Sequence, residues 1–471
     1  MRQFNTNLGR GLKRPLPLRV AALGLLLPLG ACSVDKLLEV QDPDVVGPEQ
    51  IADTTSLPAV YAAGLAEFTH AYSGGNDTGG GGSNESQILL SGLLADEFRS
   101  HDTFSTRIQI DQRAIISTAG NGTSSNGQLQ SVERNLHRAR RFAEQGIDLF
   151  ASNGSPTAPE RAELFALAGY TYVFFAENYC SGVAFSSLPL GTTTPTFGTP
   201  QSTTQTLNLA IARFDSALAI APATGDIRRL ATVGKARALV DRGNTGDLAA
   251  AAALVAGIPT GFEYDVQHSA NTARQENGVY AYTIDSGRYG VSNREGINGL
   301  PFAREGEVHI AGHDPRIPSD STLRPGFTSR AGRFYAQLKY PDRESPVPLA
   351  SGVEARLIEA ELALAGGTSA AYLTTLNTLR ASAGLAALTD PGTQDGRIRQ
   401  FFKERAYWLF LTSHRLGDLR RMIRQYGYTQ DQVFPTGTYF RGGSYGTDVN
   451  LPIFVDENNN PNFTGCTNRN A

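Results

Sequence analysis

A pattern of small and aromatic residues on successive helical stretches narrows the possible folds sharply. Phe165, Ala168, Gly169 and Tyr172 fall within one stretch of helical periodicity. Ala210, Phe214 and Ala217 follow in a second, which Pro222 ends. Small residues let two helix backbones approach closely, and aromatic rings fill the gap between them. A weaker copy comes next: Leu230, Val233 and Gly234, then an Ala-rich stretch that stops before Pro259. An insertion, about residues 180–201, separates the first two halves. An unrelated helical bundle would use the same small residues, but two halves in the right order favour a helical hairpin.

These spacings follow the tetratricopeptide pattern, one helical hairpin per repeat. Apolar residues at helical spacing predict further helices over Leu57–Tyr72, Glu85–Phe98, Gln128–Phe150, Gly352–Ala365, Ser369–Ala383 and Gly396–Gln425. The Ala-rich run Leu248–Ile258 reads as a buried core helix, too short to span a bilayer. Between Thr260 and Pro348 the periodicity is lost, and Gly, Pro, Asn and aromatic residues crowd together. There Tyr280, Tyr282 and Ile284 alternate as a short strand would. The segment is too long for a plain linker, and long irregular segments tend to carry function. The expected fold class is all-α: tetratricopeptide-like helical hairpins supporting a loop-rich half with a few short strands. The helical scaffold is expected over residues 50–259, with C-terminal helices over 350–426. A binding region over 260–348 and the tail 427–471 complete it.

The first 31 residues carry Arg2, Arg10, Lys13, Arg14 and Arg19 and no acidic side chain, followed by an apolar run from Val20 to Leu29. That is an export signal, too short to be a spanning helix. It ends in Leu29-Gly30-Ala31-Cys32, which resembles a bacterial lipobox, so Cys32 is the expected lipidation site of a mature body over 32–471. Several acyl chains anchor stably where a single chain does not. Ser33 follows the cysteine where an inner-membrane retention signal would have Asp, so outer-membrane sorting is expected. Loss of the leader makes the body more acidic than the whole chain's formal charge of −3. No basic field points to nucleic acid. The two other cysteines, Cys180 and Cys466, then face an oxidising compartment, where a disulfide is expected. Two buried thiols are the alternative.

Six stretches in order resemble the SusD/RagB family of outer-membrane nutrient-binding lipoproteins. They are Leu37 to Pro43 after the lipobox; Asp314-Pro315-Arg316; Lys339-Tyr340 with Val347-Pro348-Leu349 and Glu354 through Leu362; Asn377 with Arg380-Ala381; Glu404-Arg405 through Arg421; and Leu451-Pro452-Ile453 with Asn460-Pro461-Asn462. They span nearly the whole mature chain. Trp408 and Thr412-Ser413 depart from the family's second Glu and its Glu-Gly. The resemblance implies a surface-exposed protein that captures a glycan, or in some members a peptide. It would deliver the ligand to a SusC-like TonB-dependent barrel, with no catalysis and no cofactor. The rival reading is a tetratricopeptide scaffold of the envelope that binds no nutrient.

Sugar capture needs flat aromatic faces with amide or carboxylate partners for hydroxyls. In the loop-rich half Tyr264, Tyr280, Tyr282 and Tyr289 are the candidate ligand contacts, with Phe262 and the amides Asn277 and Asn293 near them in sequence. Other motifs carry less. Gly79–Gly82 is not followed by the Lys-Ser/Thr of a phosphate loop. Gly442-Gly443-Ser444-Tyr445-Gly446 fits Gly-x-Ser-x-Gly without the strand and helix that a nucleophile elbow needs. His309 and His313 read as exposed loop residues rather than metal ligands. Asp96-Glu97 reads as a solvated face or as local hydrogen bonding, Arg415 and Asp418 as a structural pair three residues apart, and Trp408 as mid-helix core.

Overall fold

Phe214 fills the gap that the small residues leave. In the computed structural model, a Cβ atom on Gly169 would stand 2.7 Å from its ring and one on Gly234 only 2.4 Å. Tyr170 meets the same ring edge-on, with centroids 5.2 Å apart. The structure describes residues 56–76, 85–117, 121–189, 192, 194–367 and 369–470. The leader, Cys32, the lead-in Leu37–Pro43 and Gly79–Gly82 lie outside them.

The helical half runs α1 (Leu57–Ser73), α2 (Gln87–Ala95), α3 (Ser105–Asp111), α4 (Gly127–Ser152), α5 (Pro159–Asn178), α6 (Thr203–Ile220), α7 (Asp226–Arg242) and α8 (Asp247–Val255). Local chemistry sets the boundaries. A proline in the first turn starts α1 and α5, where no N–H is needed. A reciprocal Ser202–Gln205 capping box starts α6. Gly243, at φ 66°, ends α7 in the left-handed conformation. Helices pack in sequence: α4 on α1, α5 on α4, α6 on α5, α7 on α6 and α8 on α7. The Ala-rich α8 buries only one face, Ala251, Ala252 and Val255, so it is an outer helix rather than a core one.

The loop-rich part contains only short helices, α9 (Gly278–Tyr280) and α10 (Phe302–Gly306). Then come α11 (Gly352–Ala365), α12 (Ser369–Ser382), α13 (Gln394–Trp408), α14 (Arg415–Tyr426) and α15 (Gln430–Val433). The strands are β1 (Phe98–Ser100), β2 (Thr123–Ser124), β3 (Val183–Ala184), β4 (Pro200–Gln201), β5 (Glu263–Val266), β6 (Tyr289–Val291), β7 (Ser319–Asp320), β8 (Ala336–Gln337), β9 (Val347–Ser351) and β10 (Ile453–Phe454). They form two-stranded ribbons, of which β1–β6 and β5–β9 are antiparallel and β2–β10 is parallel. The mostly helical class with few short strands is therefore the observed one.

Four further local expectations are corrected. Tyr280, Tyr282 and Ile284 lie in a helical turn that runs on as a π-helical turn over Ala281–Asp285, not in a strand. The helix expected over 396–425 is two helices, α13 and α14, joined by a turn in which Leu411 and Ser413 have φ of 54° and 61°. Asp96 and Glu97 are fully buried rather than solvated, and their side chains bond to distant segments, Asp96 to Arg415 and Leu300 and Glu97 to Leu411, rather than locally. Arg415 does not pair with Asp418. It grips Asp96 through two hydrogen bonds of 2.7 and 3.0 Å, while Asp418 takes Arg405 and Arg421. A buried charge keeps its partner wherever the fold puts one, and the partner of Arg415 lies 319 residues away in sequence.

Cys180 and Cys466 are joined by a disulfide across 286 residues. The tail is further tied there by Cys180 N–H to the Leu451 carbonyl (2.9 Å) and Thr467 N–H to the Ser181 carbonyl (2.7 Å). Among the described residues no helix is long and apolar enough to cross a membrane.

Candidate functional site

Two exposed aromatic rings, one from the loop before α3 and one from the loop-rich half, flank a guanidinium. Phe104 is 54% exposed and Phe327 46%, high values for side chains that gain from burial. The Arg288 guanidinium carbon lies 4.0 Å from the Phe327 ring centre and 5.5 Å from that of Phe104. The Arg107 guanidinium lies 5.4 Å from the Phe104 ring centre and 5.6 Å from that of Tyr282.

Asp102 organises this group. Its carboxylate accepts Arg107 (2.8 Å) and Arg288 (2.7 Å). It also accepts the backbone N–H groups of Thr103 (2.6 Å) and Phe104 (3.0 Å), which fixes the turn that presents the Phe104 ring. Burial raises the Asp102 carboxyl. Hydrogen bonding from Arg288 and the charge of Arg107 outweigh that and hold it below its ordinary range. Arg107 also pairs with the buried Glu85, which accepts the Tyr289 hydroxyl.

Phe327 is positioned by backbone. Its N–H donates to the Gly287 carbonyl (2.8 Å), and Thr328 N–H donates to the His101 carbonyl (3.1 Å). Arg324 donates to the Ile284 carbonyl (2.6 Å) beside Gly287, whose φ of 67° suits glycine. His101 is sealed beneath, edge-on to Phe334 at 5.0 Å. Burial, with Arg99 and Arg441 adding, pushes its imidazole down to about 3, so the ring is neutral. From the tail, Arg441 donates to the Ser100 and Asp102 carbonyls (2.6 and 2.8 Å). The loop before α3, the loop-rich half and the tail thus converge on one face.

The four tyrosine candidates separate. Tyr289 is fully buried, T-stacked on Phe98 and Tyr282 and bonded to Glu85, so it supports the site and cannot touch a ligand. Tyr282 is half-buried next to it, under Arg107. Tyr280 is half-buried on α9, where its N–H caps onto the Asn277 amide oxygen (3.0 Å). Asn277 is itself buried and donates to the Ser345 carbonyl (2.8 Å), which commits it to the fold. Phe262 is core. Tyr264 walls a separate cavity of about 600 Å³ between α1, α5 and β5, and its hydroxyl is spent on Glu163, which also accepts Tyr61 (2.7 Å). Trp408 ends α13 half-buried, with Arg316 4.9 Å over its ring, at the wall of a cavity of about 480 Å³.

Other chemistry is occupied. His309, exposed, lies 3.1 Å from Asp320, and with Glu307 their ligand-type atoms fall within 4.8 Å of one another. Each already serves the loop: Glu307 accepts Ser321 N–H, and Asp320 accepts Thr322 N–H and Leu323 N–H. His313 instead approaches the Ile310 carbonyl (3.2 Å). Ser444 sits in a β-bridge with Thr438 that closes a glycine turn, with no helix behind it.

No family model matches the chain, and no curated protein matches it in sequence. Solved structures do. A SusD superfamily protein from Parabacteroides distasonis superposes with a TM-score of 0.64 at 13% identity, covering 87% of this chain and 98% of that one. The fold is SusD-like. Surface glycan-binding protein A from Bacteroides uniformis gives 0.62 at 13% identity, covering 88% and 99%. A SusD-like carbohydrate-binding protein from Bacteroides fragilis gives 0.61 at 13%, with the same coverage. At these identities the likeness is one of fold. The SusD-like body here presents the Phe104–Arg288–Phe327 face on its loop-rich side.

Proposed function

We propose that this protein captures oligosaccharides on the Phe104–Arg288–Phe327 face and passes them to a TonB-dependent barrel of the outer membrane. The carrying observation is the pair of exposed rings held at fixed positions around one guanidinium. Exposed rings offer flat faces to the C–H surfaces of a sugar, and Arg288 offers N–H donors to its hydroxyl or carboxylate oxygens. Because Asp102 and the Gly287 and His101 carbonyls hold the loops in place, little ordering remains to be done on binding. Proteins of the same fold described as carbohydrate-binding support the reading. Lipidation at Cys32 after removal of the leader would tether the body to the outer membrane, exposed at the cell surface. The activity is binding and transfer, not catalysis.

The test is titration calorimetry of the purified protein against a panel of neutral and acidic oligosaccharides and of peptides. Phe104→Ala with Phe327→Ala should weaken the bound oligosaccharide about tenfold or more, since each stacked ring contributes roughly 0.5–1.5 kcal/mol. A protein that binds only peptides, or a double variant that binds sugar unchanged, would sink the assignment. Isolation from membranes without an attached barrel would remove the transport half of it.

A further inference from the structure

Helix α4 carries four arginines within eight residues, and beyond the proposed sugar face they line a pocket of their own. Arg134, Arg138 and Arg141 recur at helical spacing with Gln130 and His137, so all five share one side of the helix. Together with Arg140 they border a cavity of about 310 Å³, closed by Ser186 and the tail residues Phe454, Asp456 and Glu457. That volume is at the small end for ligand sites.

The pocket wall holds buried polar atoms without partners. Arg140 is 94% buried, since only 6% of it is exposed. It spends one N–H on the Ser186 carbonyl (2.5 Å), and its Nε–H meets no partner. His137 Nε2 is also buried without a partner, although the ring packs against Phe175 at 4.4 Å. Leaving a buried charged donor unmet costs free energy that a ligand would recover. One carboxylate already shows what the arginines bind. Asp456 accepts Gln130 at 3.1 Å and Arg134 at a long 3.4 Å, all exposed groups. Such a pair is weak and displaceable. Arg138 is steadied by Glu67 at 2.7 Å. Burial also pushes the Glu133 carboxyl up to about 8, so that group does not oppose an anion fully at neutral pH.

We propose that this pocket binds a phosphate-type oxyanion, as inorganic phosphate or the terminal phosphomonoester of a larger molecule, held by Arg134, Arg138 and Arg141 with Arg140 and His137 on its buried side. Guanidinium groups match phosphate oxygens bidentately, and several converge here. In a chain of net negative charge such a cluster is local, so it selects an anion at one place rather than over the whole surface.

The test uses the full chain with Cys32→Ser, so that no acyl anchor contributes. Calorimetry with inorganic phosphate should show one site. Arg134→Ala with Arg141→Ala should weaken it about tenfold or more. Asp456→Ala should tighten it several-fold by removing the competing carboxylate. These opposite responses, in variants whose circular dichroism matches the parent, distinguish the pocket from diffuse charge. Absence of saturable binding at millimolar phosphate, or binding that neither change moves, would overturn the assignment. Co-sedimentation with phosphatidylcholine vesicles, with and without phosphatidic acid, identifies the source. Retention that requires phosphatidic acid and is lost in the double arginine variant marks a lipid headgroup. Phosphate binding without retention marks a soluble ester.

Discussion

Gly234 has no room for a side chain: a Cβ would stand 2.4 Å from Phe214 and 2.9 Å from Tyr170. Gly234→Val should therefore cost about 2–3 kcal/mol by overpacking, read as a lower denaturant midpoint at unchanged slope. A larger effect is expected at Asp96, which accepts two hydrogen bonds from buried Arg415 and one from Leu300 N–H (2.8 Å). Asp96→Ala leaves the Arg415 charge buried and unpaired, a loss of about 3–5 kcal/mol by the same measurement. An unchanged midpoint would mean that Arg415 finds water or another carboxylate. These two residues also show where sequence is readable. Gly234 belongs to a spacing, and the spacing predicts the close approach. Asp96 belongs to none, because its partner is 319 residues away. Phe104 and Phe327 are hidden for a related reason: an isolated exposed ring has no period to reveal it, and only the folded loops bring Arg288 between them.

At the scale of elements, periodic helices were legible and interruptions were not. The apolar run Tyr407–Leu411 continues across the end of α13, so no change of phase marks the break. What ends the helix there is tertiary: the buried Glu97 carboxylate accepts Leu411 N–H at 2.9 Å, which replaces the intrahelical bond. The link between α4 and the tail is of the same kind. The buried Glu133 accepts Phe454 N–H at 2.7 Å from β10. Burial raises its carboxyl from 4.5 to about 8, with Glu457 and Asp456 adding and the Phe454 N–H opposing. The folded state thus holds the proton more tightly than the unfolded chain. That contribution is complete below pH 4.5 and is lost as pH rises through about 8. Glu133→Gln cannot titrate. Relative to that variant, the wild type should lose stability steadily across this window in urea titrations at successive pH values. A difference that stays flat would show that Glu133 is ionised in the fold.

For the whole molecule, the helical scaffold followed from repeats, whereas the ligand face depends on segments that meet only after folding. The loop before α3, residues 285–328 and the tail all reach the Asp102 turn, the tail through Arg441. The tail in turn is fastened at its far end, where Cys466 is bonded to Cys180 at the end of α5. Cross-linking residues 286 apart removes much freedom from the unfolded chain. The backbone bonds from Cys180 to Leu451 and from Thr467 to Ser181 hold the same strap without covalent help. Replacing both cysteines by serine should therefore lower stability by about 2–5 kcal/mol while leaving the folded tail in register. Two readouts separate these effects. Denaturant midpoints should fall in the double variant and in reduced wild type alike. Protease cleavage in native buffer should rise first in the tail beyond Leu451, where the disulfide is the only covalent tie. Sugar affinity should hardly change, because Arg441 stays fastened by its own two carbonyl contacts. A parallel loss of affinity would show that the disulfide, rather than the local hydrogen bonds, sets the position of the ligand face.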